Sequence, residues 1–192
     1  MDNNNASAVV WRRLAYMLTP QLDIYKHLAD RLVAKWVLEV GFGTGAGVLQ
    51  YASRAAGVTA IEIDEAAVKF AKTAFPVLHV NWLNKDITTF ASDEPFDAVV
   101  MVEVLEHIPY YDLALQHVYE LLAPGGVFYL SHRNANADLR KNDLHEREWT
   151  SQELITELRE YFMSVKLYDY TLTREQPTDT RMTPLIAVAR KQ

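Results

Sequence analysis

The stretch Val37–Gly47 constrains the fold of this chain more than any other part of the sequence. β-Favouring residues run into glycines at alternate positions from Gly41 to Gly45, and an apolar helical pattern follows over 48–52. This order predicts a strand, a tight turn and a helix. Glycine suits such a turn because the backbone bends sharply and approaches a ligand without an intervening Cβ. The turn is therefore the first candidate for a ligand site.

The details of this loop leave more than one ligand open. Gly41, Gly43 and Ala46 satisfy the loose dinucleotide pattern G-x-G-x-x-G/A. Glu39 lies two residues before the first glycine, and a carboxylate at that strand end suits a cationic ligand better than a pyrophosphate. A purely structural turn without a ligand is the third possibility.

A second buried strand, Val58–Glu62, ends in an acid about twenty residues beyond the first glycine. A carboxylate at this position can accept both hydroxyls of a ribose, whichever nucleoside cofactor is bound. Asp64 competes for the role, but it also precedes the helical pattern of residues 65–74. Its side chain is therefore predicted to cap that helix by meeting free backbone N–H groups.

The remaining pattern predicts one α/β domain over residues 1–192, with a helical cap at 1–34 and a core at 35–192. Phe96–Val102 reads as a central parallel strand, and a helix over 112–122 ends at Pro124-Gly125-Gly126 before a fifth strand. Thr150 and Glu153 are spaced as a capping box for the last helix. Residues 165–172 and 185–190 are predicted to form an antiparallel hairpin.

Three motifs together resemble one enzyme family. They are E-x-G-x-G-x-G at 39–45, E-V-L-E-H-I at 103–108 and L-x-P-G-G at 122–126. They are similar to those of the class I S-adenosylmethionine-dependent methyltransferases, in particular the small-molecule enzymes of the type 11 and 12 families. The resemblance implies a Rossmann-like three-layer sandwich with a seven-stranded, mostly parallel sheet of order 3-2-1-4-5-7-6. It also implies S-adenosylmethionine as cofactor and S-adenosylhomocysteine as product.

The resemblance also implies which residues hold the cofactor. The glycines lie under its methionine end beside the first acid, the acid ending strand two binds the ribose, and the aspartate after strand three binds adenine next to an aliphatic residue. In this sequence these positions, with the acid after strand four, are Glu39, Gly41, Gly43, Gly45, Glu62, Ile63, Asp86, Ile87 and Glu103. For Asp86 an ordinary Asx-turn stays the alternative.

The methyl acceptor is expected near the polar segment 131–148, which starts at the carboxyl end of strand five. His107 and His132 are the candidate general bases, since histidine titrates near neutrality. His145, Arg133 and Tyr16 are the candidate substrate contacts. A bystander role for each histidine and a solvated arginine remain the alternatives.

Composition excludes several classes of chemistry. The chain has no cysteine, so thiolate metal sites and a cysteine nucleophile are excluded, and no metal site is predicted. A net charge of -6 argues against a broad phosphate-binding surface. The chain also lacks the Asn/Asp-Pro-Pro-Tyr/Phe box that family members acting on exocyclic amines carry after strand four. Neither a signal peptide nor a membrane span is expected, which favours the cytoplasm.

These observations favour a methyltransferase acting on a small molecule, at oxygen or nitrogen. A nucleic-acid or protein methyltransferase, an NAD(P)-dependent oxidoreductase and an inactive cofactor-binding subunit remain alternatives.

Overall fold

The computed structural model describes residues 20–76, 79–137 and 145–192. In these residues one mixed sheet is flanked by helices on both faces. The helices are α1 (Pro20–Ala29), α2 (Glu65–Ala74), α3 (Tyr111–Leu121) and α4 (Ser151–Arg159). The strands are β1 (Trp36–Val40), β2 (Gly57–Glu62), β3 (Val80–Asn84), β4 (Phe96–Val102), β5 (Leu122–His132), β6 (Ser164–Tyr168), β7 (Glu175–Gln176) and β8 (Leu185–Arg190).

The strands follow the order β3-β2-β1-β4-β5-β8-β6-β7. The first five are parallel, whereas β8 runs antiparallel to both β5 and β6. This confirms the α/β fold, the predicted strand order and the closing antiparallel hairpin. The one difference is β7, a two-residue strand that adds an eighth strand at the edge beside β6.

Alternation along the buried strands divides the core into two apolar layers. On β1, Leu38 and Val40 belong to the layer that packs against α3 and α4, while Val37 belongs to the layer beneath α1 and α2. Successive side chains on a strand point to opposite faces, so Glu39 shares the face of Val37. This face decides where the first acid of the glycine motif lies.

The helix predicted directly after the glycine loop is reduced to a short 3-10 turn, Val48–Gln50, followed by further turns. The connection to β2 is short, and the N–H of Ala56 already donates to the carbonyl of Lys35 to start the next strand. Single helical bonds persist, since the N–H groups of Ala52 and Ala55 donate to the carbonyls of Val48 and Tyr51. Helix α1 ends at Ala29, and α4 ends at Arg159.

Local sequence signals are confirmed at three helix and strand ends. The Asp64 side chain accepts a hydrogen bond from the N–H of Ala66, and Thr150 and Glu153 form the full capping box. Gly125 has a φ of +76°, the left-handed backbone that its turn requires. Within the described ranges, no helix has the length and apolarity needed to cross a bilayer.

Candidate functional site

A cavity of about 680 Å³ opens at the carboxyl ends of the parallel strands. Its walls come from the ends of β1, β2 and β4, from residues 85–88 after β3, from residues 103–104 and 107–110 after β4 and from α1. Open α/β sheets bind ligands at this edge, where strand order reverses around the first strand. The volume also falls in the range of about 300–1,000 Å³ that small-molecule sites occupy.

The glycine loop forms the floor of the cavity. Gly41 and Gly43 both line it and both have positive φ values, of 70° and 56°. A Cβ built on Gly41 would lie 2.5 Å from Cγ2 of Val104, so no larger residue fits there. Gly45 has a different role, because its position faces the ring of Trp82 and it does not line the cavity.

Glu62 is fixed at the end of β2 by two backbone groups. Its Oε2 accepts a hydrogen bond from the N–H of Gly43 at 2.9 Å, and its Oε1 accepts one from Asp64 at 3.1 Å. The side chain is only 7% exposed but still lines the cavity. A carboxylate has about four acceptor positions, so this one keeps capacity for hydroxyl donors in the cavity.

Asp86 and Ile87 lie side by side on the cavity wall after β3. The Oδ1 atom of Asp86 accepts hydrogen bonds from the N–H and the hydroxyl of Thr88, both at 2.8 Å. The Asx-turn that was the alternative interpretation is therefore present, and it orients the carboxylate. Ile87 is buried, whereas Ile63, which also lines the cavity, is 71% exposed.

Glu39 does not line the cavity, which corrects the expectation that it stands beside the ligand. It is fully buried on the α1 face of β1, where it accepts hydrogen bonds from the hydroxyls of Tyr25 at 2.5 Å and Tyr51 at 2.8 Å. Burial raises its pKa to about 8, although the two hydroxyls act in the opposite direction. Tyr25 itself lines the cavity, so Glu39 reaches the site only through that ring.

Glu103 follows β4 and lines the cavity from a left-handed backbone, with φ of +54°. Its N–H donates to the carbonyl of Ser131, and its Oε1 accepts the Ser131 hydroxyl at 2.6 Å. Burial raises its pKa, while the hydroxyl of Ser131 acts to lower it. The ends of β4 and β5 are thus joined by one acidic residue at the cavity.

Comparison with known proteins identifies this arrangement. The family model described as a methyltransferase domain matches residues 38–130, which contain β1 to β5 and most of the cavity wall. A protein of Mycolicibacterium smegmatis, named as a probable S-adenosylmethionine-dependent methyltransferase, is 32% identical over 142 residues. The chain belongs to the class I S-adenosylmethionine-dependent methyltransferases.

Two further relatives illustrate the breadth of this methyltransferase family. The ubiquinone biosynthesis O-methyltransferase of Alkalilimnicola ehrlichii is 34% identical over 120 residues, or 60% of this chain. The N-methyltransferase NodS of Bradyrhizobium japonicum WM9, solved with S-adenosyl-L-homocysteine, has a TM-score of 0.63 and 22% identity, covering 88% of this chain and 83% of that one. At that identity NodS shows the fold alone.

The chain spans about half the length of the curated relatives it matches. The alignments cover 71% of this chain but 54% of the mycobacterial protein, and 49% of the ubiquinone enzyme. The shared part is the methyltransferase core.

The acceptor residues expected from sequence are only partly brought to the methyltransferase cavity. His107 lines it and is exposed. His132 is fully buried away from the cavity, and burial lowers its pKa to about 4, so it is not placed as a general base. Arg133 is also not on the wall, because it pairs with Glu148 at 3.6 Å. Tyr16 lies outside the described residues.

One group of side chains beside the cavity was missed by sequence reasoning. Potential ligand atoms of Glu106, His107 and His145 all lie within 4.8 Å of one another, close enough to share a metal ion. Burial and, to a lesser extent, the neighbouring charge of Glu103 raise the pKa of Glu106 to about 8, against the lowering effect of the backbone N–H groups of Glu106 and Arg133. The E-x-x-E-H spacing at 103–107 was the only signal for this group, and it needed His145 as a third member.

Proposed function

We propose that this methyltransferase domain is active, binds S-adenosylmethionine in the 680 Å³ cavity and transfers its methyl group to a small-molecule acceptor. The observation that carries the proposal is Glu62. Its two oxygens are held by backbone N–H groups, so the carboxylate is oriented before any ligand arrives. A pre-oriented acceptor for hydroxyl groups at this strand end fits a ribose.

The other walls fit the remaining parts of the cofactor. Asp86 is oriented by its Asx-turn to accept from an amine, and Ile87 offers an apolar surface beside it. Gly41 and Gly43 have no side chain, so the methionine end of the cofactor could approach the loop closely. Glu103 offers a carboxylate that could face the positively charged sulfonium. These residues would hold adenine, the methionine end and the sulfonium side respectively.

The sulfonium of the bound cofactor supplies a methyl group that is already activated. The protein has then to position the acceptor and shield the reaction from water. His107 is the candidate base that the structure places on the cavity wall. Tyr110, which is 70% exposed at the same wall, offers an aromatic surface to an acceptor.

A small acceptor is favoured over a nucleic acid on charge. The chain has 25 acidic and 19 basic residues, whereas nucleic-acid affinity is built largely from contacts between basic residues and phosphates. The cytoplasm stays the predicted compartment. The alternative, an NAD(P)-dependent oxidoreductase, predicts binding of NAD and no binding of S-adenosylhomocysteine.

Calorimetric titration with S-adenosylhomocysteine tests the proposal, with NAD as the competing ligand. We expect micromolar binding of S-adenosylhomocysteine and no heat with NAD. Glu62→Gln should weaken binding by at least about tenfold, or about 1.4 kcal/mol. The matched control is Glu65→Gln, an exposed acid on the first turn of α2, which should leave the affinity unchanged.

Glu62→Gln also disturbs the glycine loop, since an amide nitrogen would face a backbone N–H. An analogue of S-adenosylhomocysteine lacking both ribose hydroxyls separates the two effects. The wild type should bind it weakly, whereas the variant should lose little further affinity, because the missing interaction is the same one. Equal loss in both proteins, or saturation with NAD alone, would contradict the proposal.

A further inference from the structure

The cluster formed by Glu106, His107 and His145 lies at the edge of the cavity and has no role in holding the cofactor. The 3-10 turn Leu105–His107 supplies two of its members, and the segment that begins at residue 145 supplies the third. The carbonyl of Glu106 accepts the N–H groups of Glu146 and Arg147 at 2.8 and 3.4 Å. These backbone bonds hold the two segments together independently of any side chain.

The side chain of Glu106 is the strongest sign that a ligand belongs here. It is 1% exposed, and no described residue makes a hydrogen bond of normal geometry to its carboxylate oxygens, although the backbone N–H groups of Glu106 and Arg133 are near enough to favour its ionised form. Burial of a carboxylate without a partner costs several kcal/mol unless a cation or a donor compensates. Polar groups this deeply buried are almost always satisfied in folded proteins.

The two imidazoles complete the donor set. The rings of His107 and His145 meet edge to face, with centroids 4.8 Å apart. The Nδ1 atom of His145 lies 2.6 Å from Oε1 of Glu148, which favours a proton on Nδ1. A carboxylate that orients a histidine in this way is the usual outer partner of a histidine that binds a metal.

We propose that Glu106, His107 and His145 bind one first-row divalent cation, with Glu148 as a positioning residue for His145. One carboxylate and two imidazoles suit Zn²⁺ or Mn²⁺ better than Mg²⁺ or Ca²⁺, which prefer oxygen ligands alone. Three protein ligands leave coordination positions open. His107 lines the cavity, so an open position can take an oxygen atom of the acceptor. This last step rests on the proposed function, whereas cation binding does not. A cation-bound His107 then acts as a ligand and no longer as the base considered above.

The test is titration of the metal-free chain with Zn²⁺ by calorimetry and with Mn²⁺ by electron paramagnetic resonance, without any cofactor. We expect one site per chain, with Zn²⁺ bound more tightly than Mn²⁺. His107→Ala should weaken binding by at least about tenfold, and because this residue is exposed the variant should fold normally. Glu106→Gln should have an effect at least as large.

Two more variants separate positioning from general damage. Glu148→Gln should weaken Zn²⁺ by about tenfold or more, while Glu148→Asp restores part of the affinity. His117→Ala, on α3 outside the cluster, should bind like the wild type. Absence of saturable binding up to about 1 mM of either ion, equivalent to about 4 kcal/mol, would overturn the proposal. So would affinity that is unchanged in His107→Ala and Glu106→Gln.

The cofactor titration tests the proposed function and the cation titration tests the cation site, and either proposal can be rejected without the other. Weakened Zn²⁺ binding in Glu148→Gln, a residue that is not on the cavity wall, with unchanged affinity for S-adenosylhomocysteine supports the cation site on its own terms. Binding of Zn²⁺ by a chain that does not bind S-adenosylhomocysteine would leave the cation site standing and reject the proposed function.

Discussion

The buried Glu39 predicts a specific dependence of stability on pH. Its pKa is raised from 4.5 to about 8 by burial between the sheet and α1. Between these two pH values the unfolded carboxyl is ionised while the folded one carries a proton. The folded state then binds more protons, so its free energy of unfolding falls as pH rises across this window. The contribution is fully present below pH 4.5 and is lost by about pH 8.

Substitution of Glu39 by Gln should abolish this dependence. In the structure both tyrosine hydroxyls, of Tyr25 and Tyr51, donate to Glu39. A protonated carboxyl and an amide each have one acceptor atom and one donor, so either group would keep one of these bonds and reverse the other by donating to the second tyrosine. The variant should therefore match the wild type near pH 4.5. At about 1.4 kcal/mol for each pH unit, the variant should gain roughly 5 kcal/mol over the wild type by pH 8.

The assay is urea denaturation followed by circular dichroism at several pH values between about 5 and 8. The informative quantity is the difference between the two proteins, because the contributions of groups common to both cancel. Glu94→Gln, on an exposed acid, measures the effect of the substitution itself and should stay within about 0.5 kcal/mol of the wild type. A difference between Glu39→Gln and wild type that does not change with pH would refute the reasoning.

Three further predictions concern single contacts. Gly45→Ala should destabilise the chain by roughly 2–4 kcal/mol, because its Cβ would lie 2.9 Å from the ring of Trp82 on a left-handed backbone. Gly125→Ala has the backbone strain alone and should cost about 1–2 kcal/mol. Thermal unfolding of both variants measures the two losses. Thr150→Ala removes the N-cap of α4 and should cost about 1 kcal/mol in urea unfolding. Asp86→Asn should weaken S-adenosylhomocysteine by about tenfold in calorimetry while leaving thermal unfolding unchanged, since the amide can still close the turn.

The sequence predicted the sheet well because its signals are local. Each buried strand is an apolar run, and each acid after a strand lies at the same edge of a parallel sheet. Glu62 and Glu103, both expected at that edge, line one cavity. The eighth strand, β7, escaped notice because two residues carry no periodic pattern.

Side-chain direction was harder to predict than position. Glu39 was expected at the ligand because it precedes the glycines, but strand alternation turns it to the face of α1. His132 ends β5 near the expected acceptor site, yet its ring is fully buried. Both residues lie near the carboxyl end of a strand, as expected. That position did not determine to which face of the sheet their side chains point.

The cluster of Glu106, His107 and His145 shows a different limit. Its two segments are far apart in sequence, and they are joined by backbone N–H groups donating to one carbonyl, which no side-chain pattern records. Stability alone gives no reason to bury Glu106 beside Glu103, since an apolar residue at either position would avoid the cost of desolvating a second carboxylate. A residue that breaks the burial rule at the edge of a cavity is retained for what it binds. A divalent cation is the partner that would repay that cost.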